Sequence, residues 1–252
     1  MLTSRKIVTS SGEPKYAGLF NGSSSTIDFG YPSALQVGTG DFSIWYWWKR
    51  KTNDDSGYPF TLGGFEQNGI WGSIEATGQA AEFHHDSSGT ESVGFAGEVD
   101  DTGWYLYSTN RGVSADDHIH VCLGKWPQFG RGSANLTLSA GDNDFTSSHA
   151  NKKLLWGALQ GAGGVSGYME GYLGSFAILK GGANVSITGN DYTPIVKAGP
   201  FANPMSTMNR ALSATQIAAI QLAGSWEDGR LVDKSSNALS YTATDIEIAD
   251  LR

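Results

Sequence analysis

The segment Trp126-Pro127-Gln128-Phe129-Gly130 sets two aromatic residues in a turn-forming context of proline and glycine. Such a loop holds rings at the surface, where an apolar face with a polar rim can stack on a sugar or dock a protein. Trp126 and Phe129 are therefore candidate ligand contacts. Trp45 and Trp47 form a second pair, within Phe42-Ser43-Ile44-Trp45-Tyr46-Trp47-Trp48-Lys49. On a strand they take the face opposite Phe42, Ile44, Tyr46 and Trp48. With both faces aromatic, this is either a central strand covered on both sides or one whose second face receives a ligand. For any one strand tryptophan, Trp71, Trp104 and Trp156 included, core packing is the commoner fate.

Hard oxygen ligands cluster at Gly141-Asp142-Asn143-Asp144 and at Asn53-Asp54-Asp55. Calcium takes about six to eight oxygens. Asp142, Asn143 and Asp144 are thus the candidate metal ligands, and calcium is the one cofactor left open. Neither run completes an EF-hand loop, and Asp142-Asn143 equally suits a tight hairpin turn. His118 and His120 would share a strand face, and His84 and His85 are adjacent, but no third ligand accompanies them as zinc requires. Hydrogen-bonded strand residues are the simpler reading.

Glycoside hydrolysis calls for two carboxylates flanking the scissile bond, about 5–5.5 Å apart for retention or about 6.5–9.5 Å for inversion. Asp245 and Glu247 would share a strand face in Asp245-Ile246-Glu247-Ile248-Ala249-Asp250, and Glu98-Val99-Asp100-Asp101 offers an incomplete pair. Both are read as solvated carboxylates of an edge strand, and no catalytic residue is assigned. Neither a nucleophile elbow, a phosphate loop nor a dinucleotide fingerprint occurs.

The elements that position these residues follow from composition and pattern. Glycine fills 34 of 252 positions, nearly twice the usual share of roughly 7%. Aromatics reach 12% and charged residues only 17%. Glycine serves turns and aromatics serve pleated surfaces, so the chain is expected to be all-β. Short apolar runs at 18–22, 25–30, 41–49, 58–65, 69–75, 80–85, 91–95, 104–108, 118–123, 134–138, 153–159 and 171–179 are divided by turn residues. Many strands at near-regular spacing indicate a two-sheet antiparallel sandwich.

One segment is predicted to be a short α-helix, near 213–223. Ser213 is its N-cap, Gln216 completes a capping box, Leu212 and Ile217 staple it, and Gly224 ends it. Residues 1–15 are expected to be an N-terminal arm. Residues 16–252 form one domain, with an excursion loop at 180–208 holding one short strand at 184–188. The tail closes with a strand around 244–248.

Net charge is −8, so nucleic acid is not an expected partner. No apolar run of about 18 residues exists, so no membrane insertion is expected. Cys122 stands alone, which excludes an internal disulfide framework. The first twelve residues do not resemble a secretory signal peptide, and synthesis in a cytoplasm is expected.

Four pieces in order resemble the laminin-G-like, concanavalin A-like family of lectin and glucanase jelly rolls. They are Phe20-Asn21-Gly22 with Thr26-Ile27-Asp28-Phe29; Gly40-Asp41-Phe42-Ser43-Ile44-Trp45; His120-Val121-Cys122-Leu123; and Glu170-Gly171-Tyr172-Leu173-Gly174-Ser175-Phe176-Ala177-Ile178 with Asn209-Arg210-Ala211-Leu212-Ser213. The family keeps the two halves of the last piece adjacent, whereas about thirty residues separate them here. The family's usual Trp before His120 is also absent.

The resemblance implies a jelly roll that binds sugars or proteins, sometimes through calcium. Such modules also occur in bacteriophage virion proteins. The expectation is a non-enzymatic virion surface protein of a tail, fibre or capsid, made in the host cytoplasm. Its partners would be other virion proteins, further copies of itself and a host-surface glycan. The alternatives are a polysaccharide-active glycoside hydrolase, an extracellular location, or a structural decoration without sugar affinity. The arm and the excursion are the expected assembly contacts.

Overall fold

The computed structural model describes residues 15–251 except 39, 53–55, 65–68, 78, 87–88, 101, 112–117, 127–131, 138–151, 162, 182–191 and 228. Over 79–98, 118–124 and 132–137 it describes the backbone. Among these residues the strands form two large antiparallel sheets, as the alternating runs predict. The nine-stranded sheet comprises β1 (Tyr16–Asn21), β3 (Phe42–Arg50), β8 (Tyr105–Arg111), β9 (His118–Lys125), β10 (Gly132–Thr137), β14 (Glu170–Lys180), β15 (Ile220–Glu227), β16 (Arg230–Asp233) and β18 (Glu247–Asp250). The seven-stranded sheet runs β17 (Thr242–Thr244), β2 (Thr26–Asp28), β11 (Lys153–Trp156), β4 (Gly57–Gly63), β5 (Gly69–Ile74), β6 (Gln79–Asp86), β7 (Gly89–Glu98). A separate hairpin joins β12 (Leu159–Gly161) to β13 (Gly164–Ser166).

Strand β3 shows how the sequence builds the layers. Phe42, Ile44, Tyr46 and Trp48 point between the sheets, with Phe60, Trp156 and Phe176 in the same core. Tyr46 stacks on Tyr107 at 4.9 Å and meets Trp156 edge-on at 5.1 Å. Trp45 and Trp47 point the other way, into a second core with Leu106, Ala177, Leu179 and Ala223. Helices α1 (Tyr192–Ala198) and α2 (Pro204–Ala211) cover this outer face through Ile195, Val196 and Met208.

Two expectations change here. Residues 192–211 are not an open loop but two short helices, with Asn203 capping α2 through a 2.9 Å bond from the Met205 N–H. Their apolar residues Ile195, Val196 and Met208 pack on this chain's own sheet. The expected strand at 184–188 lies outside the described residues, as do residues 1–14 of the expected arm. Trp45 and Trp47 are 1% and 0% exposed, so they are packing residues in this structure and not a ligand face. The choice between covered strand and ligand face is settled by α1 and α2.

The expected helix near 213–223 is shorter. α3 spans Ala214–Ala218, and its capping box forms as expected: the Gln216 N–H donates to Ser213 Oγ and the Ser213 N–H to Gln216 Oε1. Ile220 already begins β15, which pairs with β14. Gly224 is therefore not a helix terminator. It sits in β15 opposite Phe176, where an added Cβ would lie 2.1 Å from the ring. Sheet pairing and burial on both faces override the helical spacing of Ile217, Ile220 and Ala223.

This close approach predicts that Gly224→Ala destabilises the fold by about 1–3 kcal/mol through overpacking against Phe176. Gly163→Ala, whose Cβ meets nothing within 4 Å, should stay within about 0.5 kcal/mol of wild type. Denaturant unfolding midpoints of the two variants test the contrast.

Candidate functional site

Beyond the end of the helical cover, the outer face of the large sheet carries a partly buried aromatic group. Register fixes it residue by residue. Leu19 of β1 pairs with Glu247 of β18 on one side and with Tyr172 of β14 on the other. Tyr172 pairs with Lys49 of β3. Trp104 precedes β8, and its carbonyl accepts the Trp126 N–H at 2.8 Å just past β9. Because directly paired residues share a face, Leu19, Tyr172 and Lys49 form one row, with Trp104 and Trp126 at its end.

The rings of this row touch. Trp104 lies 6.4 Å from Tyr172 and meets Phe201 edge-on at 5.3 Å. Lys15 stands 5.8 Å over the Phe201 ring. Trp104 is buried, while Trp126, Tyr172 and Phe201 are each partly exposed. Trp126 rests on the α1 terminus, where Gly199 takes a positive φ of 76° and a Cβ would meet the indole at 3.0 Å.

Next to Leu19 the same face opens into a pocket of about 430 Å³, lined by Leu19, Asn21, Lys51, Asp245, Ile246 and Glu247. Lys51 is ion-paired with Glu170, which precedes Tyr172 by two residues on the strand. The Asn21-Gly22 turn holds one wall: Asn21 Oδ1 accepts the N–H groups of Ser23, Ser24 and Ser25 at 2.9–3.1 Å. Ser24 Oγ donates to Asp245 Oδ2 at 2.7 Å and Ser25 Oγ to the Asp245 carbonyl at 2.6 Å. An aromatic face beside such groups can stack on a ring and hydrogen-bond its hydroxyls.

The expected carboxylate pair is rearranged. Asp245 lies in the turn before β18 with a positive φ of 49°, so it does not share a strand face with Glu247. The positive φ is a turn conformation that aspartate tolerates through local hydrogen bonds.

The other sequence candidates divide as follows. Trp126 stands in the aromatic group, whereas Phe129 lies outside the described residues. Asp142, Asn143 and Asp144 lie outside them too, as do Asn53-Asp54-Asp55, so the calcium candidates have no described geometry. His118 and His120 sit on β9, and His84 and His85 on β6. Trp71 and Trp156 are buried. Sequence reasoning did not single out Tyr172, Phe201, Lys49 or Lys51. Phe201 carried a usable signal, because Gly199-Pro200-Phe201-Ala202-Asn203-Pro204 resembles the Trp126 loop in composition. Tyr172 carried none beyond being a strand aromatic.

A polar clamp holds the Trp104–Trp126 end in place. Lys125 Nζ donates to Asp100 Oδ2 at 2.6 Å and to Thr102 Oγ1 at 2.8 Å. Thr102 donates to Asp100 Oδ1 from its N–H at 2.9 Å and its hydroxyl at 2.6 Å. This ties the turn before Trp104 to the strand end before Trp126. Partial burial works to raise the Asp100 pKa, but the hydrogen bonds from Lys125 and Thr102 outweigh it and hold the carboxyl at about 2, below its ordinary 3.8. The same bond to Asp100 raises Lys125. Both side chains are more than a third exposed, so solvent screens the pair and its role is chiefly positional.

No family model matches the chain, and no curated protein sequence does. Solved structures do. The chain is similar to a Bacteroides ovatus protein assigned to carbohydrate binding, at 13% identity and a TM-score of 0.60, over 95% of this chain and 61% of that one. It is also similar to the LG1-3 region of the laminin alpha2 chain, at 13% identity and a TM-score of 0.53, over 67% of this chain and 32% of that one. The chain thus spans less than two thirds of either relative's length. At such identity the likeness shows the fold, a laminin-G-like sandwich.

The clamp has a pH signature. A carboxyl whose folded pKa is depressed contributes stability that is fully present above its unfolded value and lost as pH falls toward the folded one. Thermal unfolding should therefore show a falling midpoint between about pH 4 and pH 2, where Asp100 protonates. Asp100→Asn should flatten part of that decline, and tryptophan fluorescence should report loosening at Trp104 and Trp126.

Proposed function

We propose that this chain is a non-catalytic glycan-binding module displayed on a virion surface. The observation that carries the glycan reading is the partly exposed group of Trp126, Tyr172 and Phe201 beside a pocket lined by Lys51, Asn21, Asp245 and Glu247. A pyranose ring has an apolar face and a rim of hydroxyls, and this surface offers a match for each. The fold supports the reading, since the Bacteroides ovatus relative is assigned to carbohydrate binding.

The absence of an assigned catalytic residue belongs to the same proposal. Asp245 is engaged by Ser24 and Ser25 in a turn, which suits it to shaping the pocket wall more than to proton transfer. The virion setting rests on the ordered resemblance in the sequence. Mass spectrometry of purified particles tests it, and absence of the chain from them would overturn it.

A glycan array with the full chain should show selective binding. Tyr172→Ala and Trp126→Ala should each weaken the best glycan at least tenfold, which is about 1.4 kcal/mol, with melting temperature measured alongside to separate binding from folding. A silent array would favour a purely structural decoration. Glu247-dependent release of sugar from a polysaccharide panel would instead establish the hydrolase.

A further inference from the structure

Between α1 and α2 runs a groove of about 410 Å³, lined among others by Thr193, Lys197, Ala202, Ser206, Thr207 and Arg210. Each helix offers it a hydroxyl residue and, one turn later, a cation: Thr193 then Lys197, and Ser206 then Arg210. Residues four apart lie on one helix face, so the pattern turns both cations toward one opening. No carboxylate lines the groove among the described residues. Among the described residues neither Lys197 nor Arg210 has a hydrogen-bond or ion-pair partner. This stands out in a chain with 25 acidic residues against 17 basic ones. Each cation also suits the negative end of its own helix, but sharing one groove concentrates positive potential where a ligand can reach it.

The hydroxyls narrow the ligand. Ser206 and Thr207 donate their protons to the Asn203 carbonyl at 3.0 and 3.1 Å. Toward the groove their oxygens therefore accept hydrogen bonds. A bare inorganic anion has no use for acceptors, whereas a sugar carrying an acidic group supplies hydroxyl donors and an oxyanion together. The groove also adjoins the aromatic group: Phe201 packs on Trp104, and the next residue, Ala202, lines the groove.

We propose that the α1–α2 groove is an anion-selecting subsite, and that the glycan this chain binds is acidic, bearing carboxylate or sulfate groups. The identity of the ligand as a glycan rests on the reading above. Lys197 and Arg210 hold the oxyanion, Arg210 by its planar fork, while the sugar chain continues over Phe201 toward Tyr172 and Trp126.

Titration calorimetry of the full chain against polygalacturonate, dextran sulfate and neutral dextran tests this. At least one acidic polymer should bind ten or more times tighter than neutral dextran, and its affinity should fall as salt rises. The better of the two identifies carboxylate or sulfate as the recognised group. The exposed double variant Lys197→Ala/Arg210→Ala should keep the wild-type melting temperature and lose that margin. Tyr172→Ala should weaken every polymer yet preserve the margin. Equal binding of acidic and neutral polymers, or a double variant that keeps the preference, overturns the subsite while leaving the aromatic reading intact. Loss in the double variant with undiminished binding by Tyr172→Ala supports the subsite and overturns the aromatic reading. Failure of all three polymers to bind overturns the acidic-glycan assignment.

Discussion

The irregularity between Leu173 and Phe176 of β14 governs the rest of the architecture. Along one edge β14 pairs with β3, but along the other it changes partner, from β1 over residues 170–173 to β15 over 176–179. Between Leu173 and Phe176 the register with β3 shifts. A buried backbone N–H released from a ladder must find another acceptor, and Ser175 finds it in the Pro200 carbonyl at 2.8 Å. That bond fastens the α1–α2 excursion to the sheet. Gly174 permits it, because a Cβ there would lie 2.6 Å from the Pro200 oxygen. On the inner side Trp226 fills the fork, donating its indole N–H to the Gly174 carbonyl at 3.1 Å and lying against Gly18. The bulge thus sets both the split of the sheet and the seat of the helical layer.

The helical layer in turn decides which aromatics are available. Beneath it Trp45 and Trp47 are buried with indole N–H groups that have no partner among the described residues. Leaving such a donor unpaired costs about 1–3 kcal/mol. Burying about 150–250 Å² of an aromatic side chain at about 25 cal/mol per Å² contributes about 4–6 kcal/mol as an upper estimate. Packing therefore outweighs the unpaired donors. The layer stops at Pro200 and Phe201, which leaves Tyr172 and Trp126 at its margin, partly open to solvent. The candidate binding face exists because the cover is too short for the sheet it covers.

Charge has a second organising role in a chain that carries little of it. Among the described residues Arg50 and Arg111 are buried, and backbone carbonyls accept from both: Val99 from Arg50 at 2.9 Å, and Gly40 from Arg111 Nε at 3.0 Å, with the Arg111 guanidinium over Phe42. Hydrogen bonds of this kind offset the cost of burying a cation. Arg50 thereby ties the end of β3 to Val99, and Arg111 on β8 ties down the loop that leads into β3, the strand whose alternation divides the inner core from the outer one. With these cations committed inside, Lys197 and Arg210 remain as exposed charge on the outer layer.

Much of this was already written in the residues. Glycine and aromatic excess, short alternating runs and turn dipeptides determined an antiparallel sandwich, because strand periodicity and turn chemistry act over neighbouring positions. The capping box at Ser213 and Gln216 and the Asn21-Gly22 turn were legible for the same reason, and Trp126 could be singled out from its loop. Three things were not legible. The run 213–223 fits both a helix and a strand, and only pairing with β14 cut the helix at Ala218. The two-sided aromatic strand β3 fits both a covered face and an open one, and only α1 and α2, distant in sequence, covered it. The grouping of Tyr172, Trp104, Phe201 and Trp126 needs four separate segments aligned by strand register. Local sequence determines what a segment can become; contacts between remote segments decide which alternative buries more apolar surface and leaves fewer backbone groups unpaired.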